Sequence, residues 1–416
     1  MAEPASLTEP SIQRGRAGVR GRVATVLLCV LVLMSGNPSS LAPWLGGYQS
    51  IVAMSLIAIV ICSLMNKPRN GIKISGFLWV FLIYLSLSSY SSSNSRLTLY
   101  TAVIFALLAL AVFMIARHLS AEEVGVSLIY VGVTALTASL ILEIAAPGKA
   151  LDAGMLSGIY SHKNILGFML SIAFTANLYA FAFRKIWVKY AIGLFLLLGI
   201  YRTDSTTAML ACVFSAAIVS YLRLHSKIVS RSGRTVLTLT MLAFTAFVLD
   251  TILNESGTIL SLLGKSPTLS ARTGIWEFVT HLWLQQPWNG YGFGAVWSDG
   301  SPMRVFIQES LRNPAATHAH NGYLDVLLQT GIVGALTFFC LILSIFVKAW
   351  KTIGVTSQAS SGLPFALISF MLFYNVAESR FYNPAGWAVI IIASICVNVM
   401  SAHKPNIRSK GVRITL

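Results

Sequence analysis

The chain has 416 residues, 56% of them hydrophobic and only 11% charged, against about 25% charged in an ordinary soluble domain. Lysine and arginine number 30 against 14 acids, a formal net charge of +16. This excludes a soluble globular domain, and apolar runs of helix length without ten-residue alternation exclude an outer-membrane barrel.

A spanning helix needs about 20 apolar residues. In chain order the runs predict twelve: 23–41, 47–65, 75–91, 98–116, 124–146, 164–183, 187–201, 206–222, 235–253, 322–347, 362–378 and 384–402. The expected fold is therefore an all-α integral membrane protein. The first run has no small-residue cleavage site after it and reads as a retained helix, not a signal peptide. The five cysteines (Cys29, Cys62, Cys212, Cys340, Cys396) all fall inside apolar runs, without CxxC or metal-ligand spacing, so no disulfide framework or metal site is expected.

The charges orient the threading. With the N-terminus in the cytoplasm, 21 of the 30 basic residues fall in cytoplasmic segments, and only Glu3, Glu9, Glu122 and Glu123 among the acids. The inside then nets +17 and the remainder −1, as the positive-inside rule requires. The basicity is thus a topology signal and does not point to nucleic acid. The expected organisation is a cytoplasmic basic tail (1–22), a nine-helix membrane region (23–253), a large extracytoplasmic loop with an amphipathic helix (254–321), a three-helix membrane region (322–402) and a second basic tail (403–416). The tails are expected against anionic lipid.

Two stretches imitate nucleotide motifs. GTILSLLGKS (257–266) has six residues between its glycines where a phosphate-binding loop has four. NGYGFG (289–294) lacks the strand–helix unit of a dinucleotide site and reads as a tight turn after Pro287. No Asp-x-Asp occurs, against a metal-dependent nucleotide-sugar transferase.

The informative residues lie where apolar runs meet the expected outer face. SGIYSHKNILG (157–167) places His162, Lys163 and Asn164 at the start of the sixth run. YRTDSTTAML (201–210) places Arg202, Asp204 and Ser205 at the start of the eighth. LSARTGIWEFVTHLWLQQPW (269–288) has helix period, with Ser270 as a cap, Arg272 in the first turn, and Trp276, Val279 and Trp283 on one face suited to a lipid interface. THAHNGYLDVLLQTGIVG (317–334) opens the tenth run with His318, His320, Asn321 and Asp325. Each has an ordinary reading: helix caps for His162, Lys163, Asn164 and His320, snorkelling for Arg202, a pair with Glu277 or lipid headgroups for Arg272, buried glue for Asp325. Together they suit a phosphate-bearing lipid with its tail in the bilayer. Arginine forks match phosphate oxygens, and histidine can take a proton at physiological pH.

HNGYLDVLLQTGIVG resembles the signature of the O-antigen ligase and polymerase superfamily: His320 followed by Asn321, nine residues, then Gly331-x-x-Gly334. ARTGIWEFVTHLWLQQPWNGYGFG is similar to that family's loop segment, and SHKNILG to its ExoQ-type exopolysaccharide polymerases. The resemblance, carried by motifs across residues 155–340, implies a metal-independent, GT-C-like inverting glycosyl transfer without cofactor at the outer face of the cytoplasmic (inner) membrane. The donor would be a sugar chain on a polyprenyl pyrophosphate and the acceptor another lipid-linked sugar. His320 matches the base and Arg272 the pyrophosphate-binding arginine. Lys163, His162, Arg202, Asn321, Asp325 and Asn164 would line the substrate. A flippase and a chain-length regulator would be protein partners. The chain departs from the pattern twice. Ser205 is followed by Thr206 and Thr207 rather than a cation, with Arg202 a turn earlier as a substitute, and Ala335 and Leu336 stand where ligases carry two threonines. This favours a polymerase. The competing readings are a ligase moving glycan to lipid A core or protein, a twelve-helix transporter or lipid flippase, and a structural membrane subunit.

Overall fold

A computed structural model describes residues 18–65, 68, 74–179, 185–253, 270–314, 316–353 and 359–402. The C-terminal tail, all but the end of the N-terminal tail, and residues 254–269, including GTILSLLGKS, lie outside the described residues.

The helices in chain order are α1 (Val19–Ser35), α2 (Tyr48–Leu64), α3 (Gly76–Leu87), α4 (Ser95–Ala116), α5 (Ala121–Ala145), the single turn α6 (Pro147–Ala150), α7 (Lys163–Tyr179), α8 (Ile186–Arg202), α9 (Thr206–Lys227), α10 (Arg231–Leu253), α11 (Ser270–Gln285), α12 (Pro302–Ser310), α13 (Gly322–Thr352), α14 (Leu363–Tyr374) and α15 (Pro384–Ala402). The strand content of the described residues is a two-residue antiparallel ladder, Leu151–Asp152 with Met155–Leu156. Among the described residues, five helices are long and apolar enough to cross a membrane: α4, α5, α9, α10 and α13. Each of the twelve apolar runs falls on a helix, several of them shorter than the run. The first run was expected to reach residue 41, but α1 stops at Ser35, where Gly36 closes the last turn and Asn37 turns the chain at φ 62°.

Local chemistry sets the helix starts. Ser120 and Glu123 form a capping box at α5, and Asn94 and Ser205 cap α4 and α9 through their side-chain oxygens. At the centre, α15 is apolar all round and buried nearly throughout, as a helix without a polar face must be. Trp387 packs against Phe81 and Phe105, and its indole donates to the Phe105 carbonyl at 3.0 Å.

The tenth run corrects the expectation most. The run 322–347 predicts one continuous spanning helix. Instead α13 breaks at Gly331, which sits at φ 62°, ψ −170°. The ring of Tyr323 stacks on Phe339 with centroids 5.6 Å apart, although a straight helix would separate these residues by about 24 Å. The two arms therefore fold back on each other. The break frees carbonyls that an apolar environment cannot hydrate, and the turn after Pro287 supplies their partners. Tyr291 and Gly292 donate their N–H groups to Leu328 and Gln329, and Tyr84 donates its hydroxyl to Thr330. In return the N–H groups of Ile332 and Val333 bond the carbonyls of Pro287 and Trp288. NGYGFG is thus the plug of a broken helix. Gly290 (φ 66°) lies so close that an added Cβ would meet the Gly331 nitrogen at 2.6 Å.

The amphipathic face of α11 also departs from expectation. It does not turn to lipid. Ile275, Val279 and Leu282 form a second apolar cluster with Trp297, Ile307 of α12, Ala319 and Leu328. Val279 is fully buried, and the Trp276 indole donates to the Ala319 carbonyl at 2.8 Å. The apolar face is consumed in holding the 316–320 loop against α13.

Candidate functional site

Three separate segments converge on one carboxylate, Glu378, in the turn between α14 and α15. That turn is shaped by Asn375, fully buried. Its side-chain oxygen accepts the N–H groups of Arg380 and Phe381 at 2.7 and 2.9 Å, and its amide donates to the Met371 carbonyl. Gly322 docks α13 on the same turn by donating to the carbonyls of Asn375 (2.8 Å) and Glu378 (3.1 Å). Any Cβ there would meet the Asn375 side chain at 2.2 Å.

Glu378 itself is fully buried. Its Oε1 accepts from Asn164 Nδ2 at 2.6 Å, from an Arg272 guanidinium nitrogen at 3.4 Å, and faces His320 Nδ1 at 3.5 Å. His318 Nε2 lies 3.5 Å from Oε2 and Arg380 4.0 Å from it. Arg272 also donates to the Ala377 carbonyl at 2.8 Å. Two buried polar atoms here have no hydrogen-bond partner among the described residues, Glu378 Oε2 and Arg380 Nε. Buried polar groups are rarely left so.

The histidine loop is held rigidly. Asp325, fully buried, accepts the Trp297 indole N–H at 2.5 Å, the Ala319 N–H at 3.2–3.3 Å and the Ser379 hydroxyl. Asn321 caps α13, its side-chain oxygen accepting from Tyr323 and Leu324. Between these anchors His320 takes φ 51°, a left-handed conformation uncommon for a side-chain-bearing residue and frequent at functional positions. It brings the His318 and His320 rings to 3.8 Å between centroids.

The electrostatics follow. Burial opposes ionisation of Glu378, but the His318 and His320 rings beside it hold its carboxyl well below the ordinary carboxylate range. Burial pushes His318 down to about 4, against the opposing pull of the nearby Glu378 carboxylate, with His320 and Arg380 adding to the fall. Burial likewise lowers His162, partly offset by Glu378. At neutral pH His318 is therefore neutral, while the cluster holds two guanidinium groups against one carboxylate.

His318, His320 and Glu378 offer ligand atoms within 4.8 Å of one another, a spacing that could hold a metal ion. A cation there would face the two arginines, which stay charged at any accessible pH. The donor set favours an anion.

The sequence-predicted residues distribute unevenly. Arg272, His320 and Asn164 meet at Glu378. His162 stands beside them, its Nδ1 accepting the Asn164 N–H at 3.1 Å as a helix cap. Lys163 contacts the Met155 sulfur and lies 3.9 Å from Asp204. Arg202 is paired with Glu143 at 2.6 Å, not with Glu378. Asp325 and Asn321 serve as anchors of the loop through the bonds given above. The residues missed are Glu378 and Arg380. Their signal was available, since they are the only charged residues between Lys351 and Lys404, and ionisable groups in such a run are functional candidates by default.

The fold and site define an all-α, multi-pass membrane type of protein with a cationic polar cluster at the ends of its helices. Residues 191–339 match the family model described as O-antigen ligase, the stretch that holds most of the motifs behind the resemblance. It is similar to the "Exopolysaccharide production protein ExoQ" of Rhizobium meliloti, 25% identical over 203 residues, which are 47% of this chain and 46% of that protein. It is also similar to a "Putative polysaccharide ligase" of Rickettsia typhi, 27% identical over 136 residues, 31% of this chain and 33% of that one. A Rickettsia prowazekii protein of the same name is 28% identical over 136 residues, again 31% and 33%. The chain thus spans about half the length of the first relative and a third of the others. The family match covers Arg202, Arg272 and His320 but ends before Glu378 and Arg380.

Proposed function

We propose that this chain is a membrane glycosyltransferase that polymerises polyprenyl-pyrophosphate-linked oligosaccharides at the extracytoplasmic face of the inner membrane, with both termini cytoplasmic and a GT-C-like organisation. The observation that carries the reading is the convergence of Arg272, Arg380 and His320 on Glu378 at the ends of apolar helices. The name of the ExoQ relative, an exopolysaccharide production protein, agrees with it.

In the reaction an acceptor hydroxyl attacks the anomeric carbon of the donor sugar. The new C–O bond forms as the bond to the pyrophosphate breaks, with inversion, and the hydroxyl proton passes to His320. In the tautomer with its proton on Nδ1, His320 would donate to Glu378 and take that proton at Nε2, the orienting logic of a catalytic acid–histidine pair. Arg272, with Arg380, opposes the charge growing on the leaving oxygen. Since pyrophosphate is already a good leaving group, alignment and charge stabilisation are the main tasks. Lys163 and Asn164, at the start of α7, would contact the donor's phosphates or first sugar, and Arg202 would have to leave Glu143 to join them. A chain-length regulator and a flippase are the protein partners this activity would need.

The ligase reading keeps a place because the family model and the Rickettsia relatives carry that name. One experiment separates the readings. A strain lacking the gene is complemented with wild type, His320→Ala or Arg272→Lys, and lipid-linked glycans are resolved by gel and mass spectrometry. His320→Ala is expected to abolish polymer while the protein still inserts, with a single outward-facing lipid-linked repeat accumulating. Arg272→Lys should also fail, because a point charge does not replace a fork. Long lipid-linked chains that never transfer would instead mean a ligase, and repeats held on the cytoplasmic side a flippase. Normal polymer in both variants would overturn the mechanism.

A further inference from the structure

An apolar cavity of about 480 Å³ lies between α9 and α10 on one side and α13 and α14 on the other. We infer that it holds the polyisoprenoid tail of a lipid-linked substrate, with α10 as a displaceable wall. The inference rests on the reading above that the substrate is lipid-linked, and it adds where the lipid goes.

Four observations carry it. One end of the cavity is marked by Tyr323, three residues from His320, and Val376, two residues from Glu378. The tail of a lipid whose pyrophosphate is held at Arg272 would enter the cavity from this end. The cavity then descends between the helices to an aromatic floor, where Trp350 packs on Tyr221 and Phe365, and Phe346 on Phe365. Its lining is overwhelmingly apolar, and its volume falls within the range of small-molecule sites, about 300–1,000 Å³. Close-packed protein interiors leave few voids larger than a water molecule, so a cavity this size is suited to an occupant with chain flexibility and without polar demands.

The fourth observation is the wall. α10 is the least buried of the candidate spans, with only 6% of its window inside the protein. Val236, Leu239, Leu242 and Phe247 are exposed on it. It leans on α9, where Tyr221 and Thr238 share a hydrogen bond of 3.1 Å. A wall so lightly attached can move aside to admit a lipid from the bilayer without unpacking the core around α15.

The test uses the full chain in vesicles with two probes, a sugar-free polyprenyl monophosphate carrying a benzophenone on its tail and a phospholipid with the same group on an acyl chain. The expected result is labelling of α10, α13 and α14 peptides by the polyprenyl probe, suppressed in Thr245→Phe, which narrows the cavity from α10, and unchanged in Leu239→Phe on the outer side of the same helix. Labelling elsewhere, or equal labelling by the acyl probe, overturns the inference. With a sugar-bearing donor, Thr245→Phe should lower kcat/KM about tenfold for a long polyprenyl tail and much less for a two-isoprene tail, since each buried methylene contributes to lipid affinity. Equal losses on both tails would also overturn it. Correct labelling in a protein that transfers no sugar from any lipid-linked donor would sink the functional reading and leave the cavity assignment standing.

Discussion

Asp325 and Glu378 are both carboxylates with no solvent exposure at the ends of apolar helices, yet their surroundings differ in kind. Asp325 is met by neutral donors whose geometry is already complete: an indole, a backbone amide and a hydroxyl. Glu378 is met by two arginines, two histidines and an amide, at distances that run to 4.0 Å, and one of its oxygens has no hydrogen-bond partner. A buried acid saturated by fixed dipoles is a fastener. A buried acid ringed by titratable and cationic groups, incompletely satisfied, is a place where charge can be exchanged with a ligand.

The sharpest way to break this comparison is to remove each carboxylate. Glu378→Gln keeps the shape and loses the charge that orients His320. Activity should fall by about 10²–10⁴-fold, the usual worth of a positioned base, with little change in the amount of inserted protein. Asp325→Ala should do the reverse. It strands three buried donors, each costing about 1–3 kcal/mol, so the thermal midpoint and yield should fall, and Asp325→Asn, which keeps an acceptor oxygen, should recover part of the loss. Measuring yield, midpoint and polymer length in all three decides it. A fully active Glu378→Gln, or a stable but inactive Asp325→Ala, would mean the two acids have been assigned the wrong way round.

A smaller effect comes from pH. His318 has its folded value depressed from 6.5 to about 4. Below about 6.5 the unfolded chain binds a proton that the folded loop refuses until about 4. The stabilisation is therefore complete above 6.5 and is lost as pH falls towards 4, to a limit of about 3 kcal/mol. Thermal midpoints across that window should fall in wild type and be flatter in His318→Gln. A flat wild-type profile would show that His318 is not packed against Glu378 as a neutral ring.

The sequence made some of this readable and hid the rest for physical reasons. Hydropathy located the helices because each must bury its own backbone, so every apolar run falls on one. It could not reveal the break at Gly331, since a glycine in an apolar helix looks the same whether it packs closely or turns the chain. The partners that make the break tolerable, Tyr84 and the 287–292 turn, are remote in sequence. His320 and Arg272 stood out because an imidazole and a guanidinium beside an apolar run need a reason. Glu378 and Arg380 were passed over at the end of the eleventh run, where the stretch ESR reads as a short connection. The α11 face was misjudged because periodicity identifies an apolar face and says nothing about whether lipid or protein covers it.

The smallest expected effect concerns Arg202. The missing cation after Ser205 invites Arg202 into the site, but its guanidinium is engaged by Glu143 at 2.6 Å and is about half exposed. Exposed pairs contribute about 0.2–1 kcal/mol, so Arg202→Gln should leave the midpoint within a degree or two and change polymer output by no more than a few-fold. Glu143→Gln supplies the counter-experiment. If Arg202 swings to the substrate's phosphates during turnover, freeing it from Glu143 should raise affinity for the donor, and Arg202→Gln should then cost as much as Arg272→Lys. If instead the pair only ties the end of α8 to α5, both variants should be equally mild. The positive charge opposite the pyrophosphate would then come from Arg272 and Arg380 alone, the two guanidiniums that already share Glu378.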